Sequence, residues 1–286
     1  MNQPCGSWTP SAAKLALSPV VPLNRAVPTR VIAVANQKGG VGKTTTAVNL
    51  AAGLASVGRN VLLFDLDPQA NATSGLGLEK TEGGSSYRVL LGEGALLDKV
   101  QPTAFERLHI IPSELDMCGA DIELARTENH LQRVRLALQP VVDSARFDII
   151  LIDCPPSLGV LTLNAFAAAE SLLIPLQCEY YALEGISMIT RLLNQLRETG
   201  VNPKLELLGV VMTMFDGRTN LSHQVVSEVR EHFGEMVFET VIPRTTRLAE
   251  APSFGKPIMH YDKYSAGAAA YEVLTQDLLK RLKQKS

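Results

Sequence analysis

Residues 36–46 read NQKGGVGKTTT and place glycine, lysine and threonine in an order that can bind phosphate. Glycines let successive backbone N–H groups turn onto phosphate oxygens, a lysine at the start of the next helix neutralises phosphate charge, and a hydroxyl can bind Mg²⁺. The motif's usual first glycine is replaced by Gln37, and a second lysine, Lys38, follows it. The spacing therefore predicts a phosphate-binding loop of deviant form, with binding residues Gly39, Gly40, Val41, Gly42, Lys43, Thr44 and Thr45.

Acidic side chains end two apolar runs further along the chain. Asp65 and Asp67 follow residues 61–64 at alternate positions, which places both on one face at the carboxyl end of a strand. Asp153 follows a second run of the same kind. Ligands bind at this edge of open parallel sheets, and an acid there suits contact with Mg²⁺ or its water. Each aspartate alone is better explained as a helix N-cap or turn residue, but three beside a phosphate loop favour a functional site.

Alternating strand-like and helix-like segments must position these groups. The loop lies between a β-branched run at residues 31–34 and an amphipathic stretch at residues 44–57, the strand–loop–helix setting that the motif requires. Further strands are predicted at residues 61–64, 108–111, 147–152, 172–176, 207–212 and 240–242. Further helices are predicted near residues 118–139, 160–169, 182–199, 220–233 and 266–284. The alternation predicts an α/β fold with a doubly wound, mostly parallel sheet flanked by helices.

Five stretches carry a resemblance to a known family. The chain resembles the ParA/Soj DNA-partitioning ATPases, in the deviant Walker A class of P-loop NTPases that also contains MinD and the nitrogenase iron protein. The last two stretches separate ParA/Soj from the other members, and the likeness extends from about Arg30 to the C-terminus. The stretches are residues 36–46, 65–72 (DLDPQANA), 148–159 (DIILIDCPPSLG), 212–221 (MTMFDGRTNL) and 240–256 (TVIPRTTRLAEAPSFGK).

The resemblance implies ATP and Mg²⁺ as cofactors and gives roles to the acids and lysines. Lys43 meets the β- and γ-phosphates, and Thr44 ligates Mg²⁺ with Asp153 behind a coordinated water. Asp67 resembles the acid that orients the attacking water and is a further candidate metal ligand, while Asp65 supports it. Lys38 resembles the lysine that reaches the partner's phosphates, so that ATP joins a homodimer. Without the resemblance, Lys38 is equally well a solvated loop lysine.

The resemblance also implies partners. Pro243 and Arg244 match the turn that lines the adenine, and Arg218 and Arg247 match arginines that hold non-specific double-stranded DNA. A ParB/Spo0J-type protein is the expected partner that stimulates a weak ATPase during chromosome or plasmid partition. The formal net charge is −2 and the isoelectric point is about 6.2, so any DNA contact must be a local basic patch.

Two other classes of function stay open. A MinD-like membrane-cycling ATPase would carry a C-terminal amphipathic anchor, and Tyr271, Leu274, Leu278 and Leu282 fit one face of such a helix. A last helix docked on the core, with a basic solvated end, is the simpler interpretation, and no stable membrane association is expected. A metabolic enzyme that amidates or carboxylates a small substrate would need further chemical residues beside the nucleotide site, and the sequence indicates none.

Composition sets the remaining expectations. The chain has 286 residues, 46% of them hydrophobic, which suits one large core, and no apolar run approaches the roughly 18 residues of a membrane span. Four scattered cysteines predict neither a disulfide framework nor a zinc site, which suits a reducing, nucleoid-containing cytoplasm. Five prolines and no periodicity predict a disordered arm at residues 1–29, ahead of one ATPase domain at residues 30–286.

Overall fold

The computed structural model describes residues 28–180 and 182–284, without the side chains of residues 183–186. The predicted N-terminal arm therefore lies outside the described residues, apart from its last two. Of these, Thr29 is buried and its hydroxyl donates a hydrogen bond to the Phe147 carbonyl oxygen at 2.8 Å. The described chain thus begins against the sheet that it enters at Arg30.

One sheet of seven strands runs through the described residues. Its spatial order is β3-β4-β2-β5-β1-β6-β7, and every neighbouring pair is parallel except the antiparallel pair β3 and β4. The mostly parallel α/β sheet predicted from the sequence is confirmed. In chain order the strands are β1 (Arg30–Val34), β2 (Val61–Asp65), β3 (Gln101–Pro102), β4 (Leu108–Ile111), β5 (Ile149–Asp153), β6 (Ser171–Gln177) and β7 (Glu206–Thr213).

Helices connect the strands and cover both faces of the sheet. The α-helices are α1 (Lys43–Ser56), α2 (Asn71–Gly75), α3 (Tyr87–Leu90), α4 (Ala120–Leu124), α5 (Arg133–Asp143), α6 (Val160–Ala168), α7 (Ala182–Glu198), α8 (Asn220–Phe233), α9 (Thr246–Glu250), α10 (Ile258–Tyr261) and α11 (Ala266–Gln284). Single 3₁₀ turns occupy Leu96–Lys99, Leu115–Gly119, Gly234–Met236 and Ala251–Phe254.

The core is divided in two by the sheet. Val31 and Ala33 of β1 belong to one buried cluster, together with residues of α5 to α8. Ile32 and Val34 belong to the other, together with residues of α1 and α11. Because alternate side chains of a strand point to opposite faces, both faces of β1 are buried, as is typical of parallel strands covered by helices. This arrangement confirms the doubly wound architecture.

The strand predicted at Thr240–Ile242 is wrong. Isolated bridges flank this segment at Val237 and Pro243, and within it the Ile242 N–H donates to the Met212 carbonyl oxygen at 2.8 Å, but no continuous ladder with β7 forms. A short apolar run that ends in proline has few N–H groups with which to extend a ladder. The segment instead forms a wall beside the end of β7, and that wall matters for the site described below.

The helix predicted near residues 118–139 is also wrong as a single element. It is divided into α4 and α5, and Asn129 between them has a backbone φ of 55°. A left-handed residue cannot continue an α-helix, so the chain turns there. The periodicity of the two short helices is similar enough that the sequence pattern did not reveal the break.

The C-terminal helix α11 is docked on the core. Tyr271, Leu274 and Leu278 are buried, and the Tyr271 hydroxyl lies 3.1 Å from the Thr46 hydroxyl of α1. The predicted solvated basic end is wrong in one respect, because the Arg281 guanidinium lies 3.8 Å from the centre of the Phe238 ring. It also donates hydrogen bonds to the carbonyl oxygens of Leu208, Glu235, Met236 and Val237. Across residues 28–180 and 182–284, none of the helices combines the length and apolarity needed to cross a membrane.

Candidate functional site

The glycine-rich loop joins the end of β1 to the start of α1. Gly40 and Gly42 have backbone φ angles of 75° and 85°, and Gly42 is the residue immediately before α1 begins at Lys43. Side chains with a Cβ rarely adopt such angles, which explains glycine at both positions. Left-handed residues within a turn are also the backbone feature of anion-binding concavities. The loop therefore has the local geometry that its sequence predicts.

Side chains from other strands brace the loop. The Asn36 amide donates to the Pro175 carbonyl oxygen at 2.8 Å, while its side-chain oxygen accepts from the Lys38 N–H at 3.0 Å. The Thr213 hydroxyl, at the end of β7, donates to the Val41 carbonyl oxygen at 2.8 Å. Asn36 and Thr213 were not among the predicted site residues. Their position, polar at the carboxyl end of a buried run, is the signal that could have identified them.

Lys43 is held inside the loop. Only 6% of the residue is exposed, and its ammonium group donates to the Lys38 carbonyl oxygen at 2.9 Å. Burial lowers the pKa of Lys43, while Asp153 and Asp67 act in the opposite direction. A buried ammonium group with one carbonyl partner has free donors for a phosphate oxygen. Its predicted place at the phosphates is compatible with this geometry.

Asp153 ends β5 directly beside the loop. Both of its carboxylate oxygens are buried, and neither makes a hydrogen bond of good geometry within the described part of the chain. Burial raises the pKa of Asp153 well above its usual range, Asp65 adds to the increase, and the nearby Thr44 hydroxyl opposes it. A buried carboxylate without a partner is costly, so this group is suited to a bound cation.

Asp65 and Asp67 take different positions, although they are two residues apart. Asp65 is fully buried and accepts from both the N–H and the hydroxyl of Thr73, at 2.8 and 2.7 Å. Burial raises the pKa of Asp65 to about 6. Asp67 instead lines the cavity over the loop, and one of its oxygens accepts from the Gln69 N–H at 2.9 Å. Asp65 therefore holds α2, and Asp67 is the carboxylate of the pair that lines the loop cavity.

The oxygen atoms at this edge of the sheet suit a Mg²⁺ ion that is coordinated by both the protein and a phosphate. Thr44, Asp67 and the orphaned oxygens of Asp153 lie at one edge of the sheet, while no three His, Cys, Asp or Glu side chains of the described chain gather into a metal cluster. Mg²⁺ is commonly held by one or two carboxylates together with substrate phosphates rather than by an all-protein cage. The predicted metal residues therefore match this cation in their chemistry.

Two adjoining cavities are available beside the loop. The loop cavity has a volume of about 270 Å³ and is lined by the loop, Asp67, Gln69 and Asn71. The second, which we call the Pro243 cavity, has about 530 Å³ and is lined by Pro243, Arg244 and the start of α9, among others. Gly42, Thr45 and Met214 line both cavities. The two cavities together provide a polar compartment for phosphates and a larger, more apolar one for a nucleoside.

The second lysine of the loop points away from Lys43. The Lys38 ammonium group forms an ion pair with Glu179, which follows β6, and 49% of the Lys38 side chain is exposed. Lys38 does not line the loop cavity of its own chain. Glu179 was not among the predicted site residues, because 141 positions separate it from Lys38 and no local pattern links the two.

The two predicted DNA arginines are exposed and paired with acids. Arg218 donates two side-chain hydrogen bonds to Asp216, at 2.9 and 2.7 Å, and these hydrogen bonds lower the pKa of that carboxyl. Arg218 also lines the Pro243 cavity. Arg247 in α9 forms ion pairs with Glu250 at 3.2 Å and Asp262 at 3.4 Å. Neither the acidic partners of the two arginines nor the contact between Arg218 and the Pro243 cavity was predicted from the sequence.

Comparisons with known proteins agree with this geometry. A family model described as AAA domain matches residues 29–207. The chromosome partitioning protein ParA of Myxococcus xanthus (strain DK1622) is 52% identical over 258 residues, which cover 90% of each chain. The sporulation initiation inhibitor protein Soj of Bacillus subtilis (strain 168) is 50% identical over 252 residues, which cover 87% of this chain and 98% of that protein.

A solved structure shares the fold. Cobyrinic acid a,c-diamide synthase from Mycobacterium smegmatis, with bound ATP analog and magnesium, matches with a TM-score of 0.78 at 37% identity. The match covers 90% of this chain and 97% of that one. The likeness thus extends over most of the chain, in sequence and in structure.

Proposed function

The chain belongs to the ParA/Soj family of chromosome-partitioning ATPases, and from this premise we propose how its site works. ATP joins two copies, the dimer binds double-stranded DNA without sequence preference, and a ParB-type partner stimulates hydrolysis to release it. The main support for this proposal is that three features lie together at one edge of the sheet. These features are the buried Lys43, the orphaned carboxylate of Asp153 and the two adjoining cavities.

The loop cavity holds the phosphates. Backbone N–H groups of residues 39–45 and the Lys43 ammonium group neutralise their charge, for which Lys43 exchanges the Lys38 carbonyl oxygen for a phosphate oxygen. Thr44 and Asp153 would hold Mg²⁺, which supplies charge neutralisation at the β- and γ-phosphates when bound. Adenosine occupies the Pro243 cavity, where Pro243 and Arg244 lie against the base.

Asp67 positions the attacking water. Its carboxylate is the one of the strand-end pair that lines the loop cavity, while Asp65 is fully occupied by the N-terminal part of α2. The Gln69 N–H fixes one Asp67 oxygen, so the other can accept a proton or a hydrogen bond from water. Hydrolysis without a partner is slow in this scheme, because a single positioned carboxylate supplies only part of the stabilisation that phosphoryl transfer needs.

Lys38 acts between subunits. It is partly exposed and lies outside the loop cavity of its own chain, where it is held by Glu179. To reach the phosphates of a second copy it must leave Glu179. A lysine that crosses the interface makes ATP a part of the dimer contact, which explains why dimerisation depends on the nucleotide.

The DNA surface is formed by Arg218 and Arg247. Both guanidinium groups are exposed, and each is paired with carboxylates that a DNA phosphate can displace. Two copies present each arginine twice, so pairing doubles a patch that is weak in one chain. This accounts for DNA binding by a chain whose net charge is −2.

The two alternative functions receive less support. The apolar face of α11, which a membrane anchor would need, is buried on the core through Tyr271, Leu274 and Leu278. The 37% identical structure carries the name of an amidating enzyme, but the relatives named ParA and Soj share about half of their residues with this chain. We therefore propose that residues 30–286 form one partition ATPase domain. We propose that it acts on the nucleoid in the cytoplasm.

A gel shift on random-sequence duplex DNA tests the proposal directly. With ATP and Mg²⁺ the chain should shift every duplex alike, and with ADP the shift should weaken strongly. Binding of DNA that ignores the nucleotide would contradict the proposal. ATP-dependent flotation with anionic vesicles, in place of a gel shift, would favour the membrane-cycling class.

A further inference from the structure

The segment Ala251–Ile258 lies between the nucleotide site and one of the two arginines of the proposed DNA surface. It begins where α9 ends, four residues after Arg247, and it continues into α10. Ala251 and Ile258 are buried at 2% and 0% exposure. The segment is therefore packed into the domain at both of its ends rather than lying free on the surface.

Its first anchor is a contact between two glycine backbones. A Cβ placed on Gly255 would lie 2.6 Å from the Cα atom of Gly77, and Gly255 has a φ of +62°. Gly77, with a φ of +77°, directly follows the turn that ends α2, and its N–H donates to the Ser74 carbonyl oxygen at 2.9 Å. No side chain lies between the two backbones. A displacement of α2 therefore moves the segment directly, because no flexible side chain can absorb the movement.

Its second anchor is Asn49 of α1. The Asn49 side-chain oxygen accepts from the Ile258 N–H at 2.6 Å, and its amide donates to the Thr45 carbonyl oxygen at 2.8 Å. Asn49 is 4% exposed, so the hydrogen bond to Ile258 is shielded from water. Thr45 belongs to the phosphate loop, and the segment is thereby tied to the helix that follows the loop.

Arg247 is held from both sides of the segment. Glu250 precedes the segment and Asp262 follows it, and both carboxylates pair with the Arg247 guanidinium. Tyr261 reinforces the closure, because its hydroxyl donates to Glu250 at 3.1 Å and its ring stacks on Phe254. A shift of the segment therefore changes the distance between the two carboxylates that hold Arg247.

The γ-phosphate can act on this connection in a way that the adenosine cannot. ATP and ADP share the adenosine, so contacts in the Pro243 cavity are common to both. The difference between them lies in the loop cavity, whose wall includes Asp67 and the first residue of α2, Asn71. Asp65 locks α2 through Thr73, so the strand end and α2 move as one piece.

We infer that the 251–258 segment transmits the presence of the γ-phosphate from α2 to Arg247, through the backbone contact of Gly77 with Gly255. Asn49 supplies the fixed point about which the segment shifts. This inference rests on the proposed function, since it assigns to that site the means by which ATP and ADP produce different DNA affinities.

Gly255→Ala is the direct test, since its Cβ cannot be accommodated beside Gly77. Gly200→Ala is the matched control, because Gly200 has a φ of +76° and open space around its Cβ position. Hydrogen exchange of residues 254–264 is measured with Mg²⁺ and either ADP or a non-hydrolysable ATP analogue. Lys256 lines a third cavity that shares Thr44, Thr45 and Asn71 with the loop cavity, so the result is taken from residues 258–264, which line none of the three cavities.

The wild type and Gly200→Ala should exchange differently in the two nucleotides, and Gly255→Ala should not. DNA affinity, measured in parallel, should be about 5- to 150-fold higher with the ATP analogue in the wild type, the usual range of coupling between sites. Gly255→Ala should reduce that ratio severalfold, with dimer formation by light scattering unchanged, so that only the gain from pairing the two arginine patches remains.

An equal exchange difference in Gly255→Ala and wild type overturns the inference, and so does an absence of any difference in the wild type. If Gly255→Ala fails to fold, Asn49→Ala replaces it, with the same loss expected and an unchanged difference again overturning the inference. A wild type whose exchange responds to the γ-phosphate but which binds no DNA would refute the proposed DNA surface and leave the transmission intact.

Discussion

Lys43 and the acids around it are almost completely buried, whereas Arg218 and Arg247 expose 89% and 55% of their side chains. In the first region, Asp153 has no hydrogen-bonded partner of good geometry among the described residues, although Lys43 and two further carboxylates lie near it. In the second region, every guanidinium group has an acid beside it. Both regions bind phosphate in our proposal, but by different physical means.

The difference concerns what the ligand must replace. At the buried edge the charged groups are little exposed and incompletely paired, so their interactions with a ligand are only weakly screened by water. At the arginine surface a DNA phosphate must compete with water, salt and a protein carboxylate. We therefore expect large, specific effects from substitutions at the buried edge and small, salt-dependent ones at the surface.

Lys43→Ala should abolish ATP binding. The substitution removes the buried cation that faces the β- and γ-phosphates, while the charge of the phosphates remains. The dissociation constant for ATP should therefore rise by at least about a hundredfold. Isothermal titration with ATP and Mg²⁺ measures it. Lys38→Ala is the matched control from the same loop and should keep the affinity for ATP while losing the dimer. Unchanged affinity in Lys43→Ala would contradict the assignment of the loop.

Asp67→Ala should separate nucleotide binding from turnover. If Asp67 only positions the water, hydrolysis should fall by about 10²–10⁴, the range typical of losing a positioned base. ATP binding, the dimer and DNA binding should remain. Phosphate release measures hydrolysis, and light scattering measures dimer formation. A variant that stays monomeric with ATP would mean that Asp67 is structural or an essential metal ligand.

Asp65→Ala should lower stability, in contrast to its neighbour. The substitution leaves the N–H and hydroxyl of Thr73 without their acceptor, which should reduce the free energy of unfolding by about 1–3 kcal/mol. Denaturant titration of wild type, Asp65→Ala and Asp67→Ala measures the contrast. A larger loss of stability in Asp67→Ala would reverse the roles assigned to the pair.

Arg218→Ala and Arg247→Ala should each weaken DNA binding on every sequence alike. A dimer presents each arginine twice, so losing one type should flatten the dependence of log affinity on log salt by up to about two units. Fluorescence anisotropy at several salt concentrations measures the slope. ATP affinity is the control, and it matters most for Arg218 because this residue lines the Pro243 cavity. Variants that bind DNA normally would remove the proposed surface.

Asp216→Asn should strengthen DNA binding slightly. Asp216 accepts two hydrogen bonds from the Arg218 guanidinium, one at each carboxylate oxygen. Asparagine keeps one acceptor oxygen but loses the second acceptor and the charge, so the guanidinium is held less tightly and binds phosphate more readily. Because exposed ion pairs are weak, we expect only about a two- to fivefold gain in affinity. Glu272→Gln, an exposed acid on α11, is the control for the change in net charge. Equal gains in both variants would show that Asp216 acts only through overall charge.

The sequence identified the phosphate loop because its signal is local. Left-handed glycines, a lysine at the start of a helix and an apolar run before the loop all lie within about fifteen residues. Hydrophobic periodicity likewise located every strand except the two-residue β3, and the helices α1, α6, α7, α8 and α11. The wrong strand at Thr240–Ile242 and the undivided helix at residues 118–139 both arose where a proline or a left-handed residue changes the backbone without changing the apolar pattern.

Which of the predicted site residues contact one another was decided only by the tertiary structure. Spacing alone does not distinguish Asp65 from Asp67, and only the family resemblance gave them different roles. In the folded chain the Thr73 side chain donates to Asp65, while Asp67 lines the loop cavity. The pairing of Lys38 with Glu179 and the contact of Gly77 with Gly255 join residues 141 and 178 positions apart. Local spacing determines backbone conformation and the type of chemistry, whereas hydrogen bonds and contacts between distant segments depend on packing, which brings those segments together only in the folded chain.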